Sequence, residues 1–383
     1  MIERLPTGQS RATDTAVAVS ELHGQLACAH TEMVTFFCSP DYDLDVVAAE
    51  MNSRFAGVTV VGCTTAGEIG PGGYCERTIT GVALPAGTFT AVAAFMDDLQ
   101  NFSQERGQVF VHELVAKLKA AAPGLTPQNT FALQLIDGLS LREEAVTRVF
   151  QHALGSVALV GGSAGDGIAF GRTQVFSGGR FHDGGVVLVL ASSTLPFSTF
   201  STQHFTGGEE RAVVTAADPA TRTVREINAS SATAEYARLV GVDPRDLTPG
   251  LFAEHPVVVR IGGRDHARSI QKANPDGSLV FYCAIEEGVV LRAARRGDLV
   301  ADLDQTFLRL RQKLGELSLV IACDCILRSL EIEDIGARER VGEVFRRQNA
   351  VGFATYGEQI HGIHVNQTLT GIAFGSGAEG DRG

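Results

Sequence analysis

One internal repeat constrains this chain more than anything else in it. Residues 61–84 read VGCTTAGEIGPGGYCERTITGVAL, residues 351–374 read VGFATYGEQIHGIHVNQTLTGIAF, and the two align without a gap. Identities run from Val61/Val351 and Gly62/Gly352 through Thr65/Thr355, Gly67/Gly357 and Glu68/Glu358 to Gly72/Gly362, Thr78/Thr368, Thr80/Thr370, Gly81/Gly371 and Ala83/Ala373. Average residue usage gives about one or two chance matches over such a window. Common descent of the segments is the better explanation. A third, weaker copy, VALVGGSAGD at 157–166, echoes 58–68 with one gap, so that Gly165 and Asp166 fall against Gly67 and Glu68.

The context of each copy repeats as well. Every Gly loop follows a short apolar strand, and every such strand follows an amphipathic helix. Leu44, Val47, Ala48, Met51 and Phe55 share one helical face, as do Val146, Val149, Phe150 and Ala153. Spacing of three and four places them on a common stripe. Ser140 and Glu143 form a capping-box pattern ahead of the second helix. The third helix is predicted over 338–347, with Val341, Val344 and Phe345 inward. Apolar strands at 33–38, 131–136 and 319–323 precede the helices, and a strand–helix–strand crossover implies parallel pairing. The fold class that follows is α/β (α+β): repeated strand–helix–strand–Gly-loop–strand units forming mixed sheets in two modules, 30–194 with two units and 195–376 with the third. The region 195–304 departs from the pattern. It is strand-rich, with a hairpin around Asn274-Pro275-Asp276-Gly277 and a helix over 232–240.

The formal net charge is −12, which argues against nucleic acid and against an anionic membrane surface, since both are bound through Lys and Arg. No run approaches 18 apolar residues, and the first 20 residues lack the apolar core of a secretory signal. The 7 cysteines are scattered and odd in number, so reduced thiols in the cytoplasm are the expectation.

GCTTAGEI near the start, DGLS followed by GGSAGDG, and a terminal TYGEQ…NQT resemble, as an ordered set, the N- and C-terminal modules of FIST sensory proteins, over about 33–374. Within that family FAEHPVVVRIGG (252–263), RSIQKANPDGSLVFYCAIEEGVVL (268–291), CDCILRSLE (323–331) and GFATYGEQ (352–359) resemble the NosP-type subgroup. The resemblance implies a sensor rather than an enzyme. It further implies haem b as cofactor and a diatomic gas, nitric oxide, as signal. The implied partner is a sensor histidine kinase or a diguanylate cyclase or phosphodiesterase of cyclic-di-GMP signalling. Homo-oligomers are left open.

The residues carry several site hypotheses of their own. Gly-rich loops after strands let a ligand approach the backbone, which makes Gly67, Glu68, Gly165, Asp166, Gly357 and Glu358 a candidate ligand-loop set. Glu68 and Glu358 could accept the ammonium of an amino acid. The alternative is that each glutamate binds its own loop and each glycine serves a turn. Imidazole is a common haem-iron ligand. His364 and His361 lie in the third loop, where the first copy has Tyr74 and Pro71. His204 has Phe205 beside it, and His255 leads into an apolar strand. His364, His204 and His255 are the alternative iron ligands, with Tyr356, Tyr282 and Cys283 as further lining groups. Cys323-Asp324-Cys325 lacks the second pair that a zinc site needs. Ser140 lacks a nucleophile elbow and a base, which leaves a hydrolase as the weakest alternative.

Overall fold

The strands of the repeat are apolar on both faces, as in Val186–Ser193 and Leu317–Cys325, and such strands need cover on both sides. The computed structural model describes residues 4–28, 30–261 and 263–376; Gly262 of the 252–263 stretch and the first three residues of the start segment lie outside it. Three units of the same construction provide the cover. The first runs through strand Thr7–Ser10, helix Thr15–Leu26, strand Thr31–Cys38, helix Leu44–Arg54, strand Thr59–Thr64, a hairpin of Glu68–Gly70 and Gly73–Cys75, and strand Ile79–Pro85. The second repeats this order from Phe89–Met96 to Val186–Ser193, with its hairpin at Val175–Ser177 and Arg180–His182. The third begins at Phe197–Thr202, resumes at helix Leu299–Leu314, and ends with a hairpin at Glu358–Ile360 and Ile363–Val365 and strand Leu369–Gly375.

Each unit builds one sheet in the same order, first strand, last strand, and then the parallel pair spanned by the crossover helix. The hairpin leaves its own sheet. The first unit's hairpin pairs with Ala350–Thr355 of the third, the third's with Ala158–Ser163 of the second, and the second's with Thr59–Thr64 of the first. This cyclic exchange closes three sheets around one core. Phe37 stacks on Phe353 at 4.6 Å, and Phe374 meets Phe89 and Phe131 at 5.3 Å each. The outer face of each sheet carries its helices over a separate apolar layer. Truncating Phe37 or Phe353 to Ala removes central contacts and costs about 3–5 kcal/mol.

The helix over Arg338–Arg347 lies where its periodicity placed it. The capping box does not form. The second unit's helix starts at Glu143, Ser140 Oγ accepts only from the Arg142 amide at 3.3 Å, and Glu143 is drawn instead to Arg222. The departure from the pattern after residue 195 is a further nine-stranded sheet inserted between the first strand and first helix of the third unit. Its two chain crossings touch, the Gly297 amide donating to the His204 carbonyl at 2.7 Å.

Candidate functional site

The three Gly loops meet at the carboxyl ends of the parallel strands, and their backbone groups are spent on one another. The Gly165 amide donates to the Thr64 carbonyl at 3.0 Å, Ala66 to Ala354 at 3.0 Å, Ala354 to Gly67 at 2.7 Å, and Ser163 to Gly357 at 2.9 Å. These loops knit the units together. Glu68 and Glu358 sit in matched cages. Glu68 accepts from Thr65 Oγ1 and from the Thr78 amide and hydroxyl at 3.0 and 2.7 Å. Glu358 accepts from Thr355 Oγ1 at 2.5 Å and from the Thr368 amide and hydroxyl at 3.3 and 2.7 Å. Burial pushes the two carboxyls up to about 7 and about 8, against the opposing pull of those hydrogen bonds. Asp166 is not the third member. The register sets Val175 opposite Cys63 as Glu68 is set opposite Phe353, because loop 164–174 is inserted before the second hairpin. Asp166 ties that loop, accepting from the Gly171 and Arg172 amides at 2.7 Å each and from Tyr356 Oη.

The histidines do not converge. His204 is buried, and Arg328 Nη1 lies 3.2 Å from its Nδ1. A guanidinium can only donate, so Nδ1 accepts, and Nε2 carries the proton given to Glu331 at 2.8–2.9 Å. Both nitrogens are thereby engaged, and Asp324 holds Arg328 Nε from behind at 2.6 Å. His255 lies on a separate cavity beside Gly207 and Glu210, 3.9 Å from Glu254. His361, at the hairpin turn, bonds Thr199 Oγ1 at 3.1 Å. His364 is buried against Gly357, with Nδ1 3.1 Å from Gln359 Nε2 and Nε2 without a hydrogen bond of good geometry. Burial lowers its pKa to about 4. Cys323, Cys325 and Cys283 are buried thiols pushed up by that burial.

Above the Gly loops the inserted domain leaves a cleft of about 920 Å³. Its walls are Leu139, Ile168 and Phe170 of the second unit, Ile326, Leu327 and Leu330 of the third, and Ala253, Ile270 and Tyr282 of the insertion. Phe170 packs on Tyr356 at 4.6 Å and faces Tyr282 at 5.9 Å. Two joints tie the inserted domain to the second and third units. Arg222 donates to Glu143 at 2.6 Å, Glu144 at 2.7 Å and the Tyr282 carbonyl at 2.7 Å, and the Ala284 amide donates to Glu144 at 2.6 Å. On the other side Gln367 accepts from Ser269 Oγ at 3.0 Å and donates to the Ala253 carbonyl at 2.7 Å. Of the sequence-selected residues, Tyr282 lines this cleft, with Tyr356 beneath it; His204 lies one hydrogen bond behind the lining Glu331. Size and apolar walls fit a haem ring, and Tyr282 is the lining residue with iron-ligand chemistry, though burial holds its phenol above the usual range.

Sequence reasoning missed Glu331, Arg328, Arg296 and Arg222. The first two had a signal: Arg328 and Glu331 are spaced three apart, which on a helix puts base and acid on one side.

A family model described as the FIST N domain matches residues 32–230, and one described as the FIST C domain matches residues 232–361. No curated protein matches the chain. Among solved structures, a crystal structure of cyanuric acid hydrolase from A. caulinodans aligns over 96% of this chain and 98% of that one, at 11% identity and a TM-score of 0.40. A likeness that low carries no argument.

Proposed function

The chain belongs to the FIST family of sensory and signalling modules, and on that premise we propose that it senses a small, mostly apolar ligand held in the cleft under the inserted domain. The observation that carries this reading is the cleft itself. It is large, apolar and formed by all three parts that would have to move together to report occupancy. The inserted domain reaches the rest through touching crossings at His204 and Gly297 and through the two joints. A ligand that bridges the walls biases the position of that domain, which is the physical content of a sensor.

The finer form of the proposal is haem b, in keeping with the NosP-type resemblance, with nitric oxide as signal and a histidine kinase or cyclic-di-GMP enzyme as partner. Tyr282 would hold the iron and Phe170 would pack against the ring. The histidine ligands read from the sequence are not part of this form, because His204 has both nitrogens engaged, His255 faces another cavity, and His364 is buried against Gly357 and does not line the cleft. Purification from haem-supplemented cells should give a Soret band that shifts with nitric oxide and changes position in Tyr282→Phe. A colourless protein removes haem and leaves the cleft.

A second ligand class has one observation in its favour. Arg296 and Asp334 bring both signs of charge to the cleft, as an amino-acid zwitterion requires. A thermal-shift screen in which no amino acid stabilises the protein would remove it. No turnover is proposed. Ser140 is occupied by the Arg142 amide, and Asp137 by Thr173, Leu139 and Gly184.

A further inference from the structure

We infer that Arg296 is the anchor for an anionic group on the otherwise apolar ligand of the cleft, an inference that rests on the cleft being the ligand site. Counted crudely, the lining is acidic, with Glu254, Glu331, Glu333 and Asp334 against Lys272 and Arg296. What distinguishes the cations is which groups are already bonded. Glu333 is held by Arg338 at 2.7 Å. Glu331 is 2% exposed, and both of its oxygens face His204 Nε2. Among the described residues, Lys272 and the Arg296 guanidinium make no hydrogen bond, and the one ion pair of Arg296 is a long 3.6 Å contact to Glu331.

Arg328 fixes the tautomer of His204, whose one Nε2–H holds Glu331 in place with its Oε1 3.6 Å from Arg296 Nε, beyond hydrogen-bond distance. The fork of Arg296 therefore keeps its donors for another acceptor. It is 34% exposed, so a ligand can reach it. A guanidinium presents paired donors that match a carboxylate or sulfonate, and an apolar surround strengthens that pairing. Lys272 adds a second positive charge to the same walls. The ligand class that fits is an apolar body with one or more acidic groups.

Two dyes of the same body test this. 8-Anilinonaphthalene-1-sulfonate carries the acid, and N-phenyl-1-naphthylamine lacks it. Binding is titrated by fluorescence on the full chain, with Leu330→Asp at the mouth of the cleft to locate the dyes. Expected is tighter binding of the sulfonate dye by the unmodified protein, lost about tenfold in Arg296→Gln, while the neutral dye changes less than twofold. Arg296→Lys should fall between. If Arg296→Gln weakens both dyes equally or neither, Arg296 is not an anion anchor and the inference is wrong. If neither dye binds, or Leu330→Asp leaves both unchanged, the cleft reading itself fails and takes the inference with it.

Discussion

The first and third hairpins carry the same Gly-Glu pair in the same register, yet their glycines are there for different reasons. Gly67 has φ +140°, a backbone that L side chains rarely adopt, and a Cβ there would approach nothing closer than the Cys75 carbonyl at 3.3 Å. Gly357 has no such backbone, but a Cβ would fall 2.2 Å from His364 Cε1. The glutamates beside them are alike, each capped by two threonines of its own unit on a hairpin strand that pairs with a neighbouring unit. The duplicated chain thus keeps the carboxylate cage and changes its neighbour, with Tyr74 in one copy and His364 in the other. The cage belongs to the hairpin of each unit, and the neighbour is where the copies have specialised.

The largest effect should come from emptying the cages. Glu68→Ala leaves buried Thr78 without its acceptor, Thr65 keeping the Cys38 carbonyl at 3.1 Å, and Glu358→Ala leaves Thr355 and Thr368 without theirs; each should cost about 3 kcal/mol in urea unfolding. Similar costs sustain the equivalence. A variant at either position that unfolds like the parent breaks it.

The glycines should then separate the copies. Gly357→Ala should destabilise by about 2 kcal/mol through overlap with the imidazole, and His364→Ala added to it should recover part of that loss. Gly67→Ala should cost about 1–2 kcal/mol through its backbone, and Tyr74→Ala should recover none. Recovery at both positions, or at neither, would mean that the two loops are alike after all.

Much of the repeat was legible because its signals are local. Periodicity marks which face of a helix or strand is buried, and the matched Val-Gly and Gly-Glu positions fix where each unit turns. Nothing local says which sheet a hairpin joins, so its transfer to a neighbouring unit had no sequence signal. The same gap explains Asp166. Aligned by its glycines it stands for Glu68, but the inserted loop moves the true counterpart to Val175. The site suffered more. His204 looked like a ligand because its neighbours are aromatic. Glu331 and Arg328, which occupy its two nitrogens, lie 127 and 124 residues away in sequence.

The pH dependence should be smaller and should again distinguish the copies. Both glutamates titrate above the unfolded value of about 4.3, at about 7 for Glu68 and about 8 for Glu358. Between those limits the folded state holds protons that the unfolded chain has released. Their contribution is therefore full in acid and is lost as pH rises through the folded values. Glu68→Gln and Glu358→Gln should flatten the decline of stability between roughly pH 5 and pH 8, each by at most about 1.4 kcal/mol per pH unit. The flattening should end near pH 7 for Glu68→Gln and about one unit higher for Glu358→Gln. Urea midpoints across that range decide it; a parent protein that grows more stable from pH 5 to pH 8, unchanged by either variant, contradicts the assignment.

The smallest effect belongs to the neighbours themselves. Tyr74 is buried, and its hydroxyl faces Asp324 and Ser329 without a hydrogen bond of good geometry. Tyr74→Phe removes a group that contributes little while keeping the ring against Phe345, so stability should move by less than about 0.5 kcal/mol. His364→Phe keeps a ring over Gly357 but removes the hydrogen bond between Gln359 Nε2 and His364 Nδ1 at 3.1 Å, leaving the amide to Ser163 Oγ at 2.9 Å and the Gly357 carbonyl at 3.1 Å. That should cost about 1 kcal/mol. The sign of the difference is the sharp test of specialisation, since a merely inherited aromatic position would tolerate both changes equally. A loss at Tyr74 as large as the one at His364 would mean that the tyrosine hydroxyl is bonded as firmly as the imidazole, and that the two copies differ in residue but not in role.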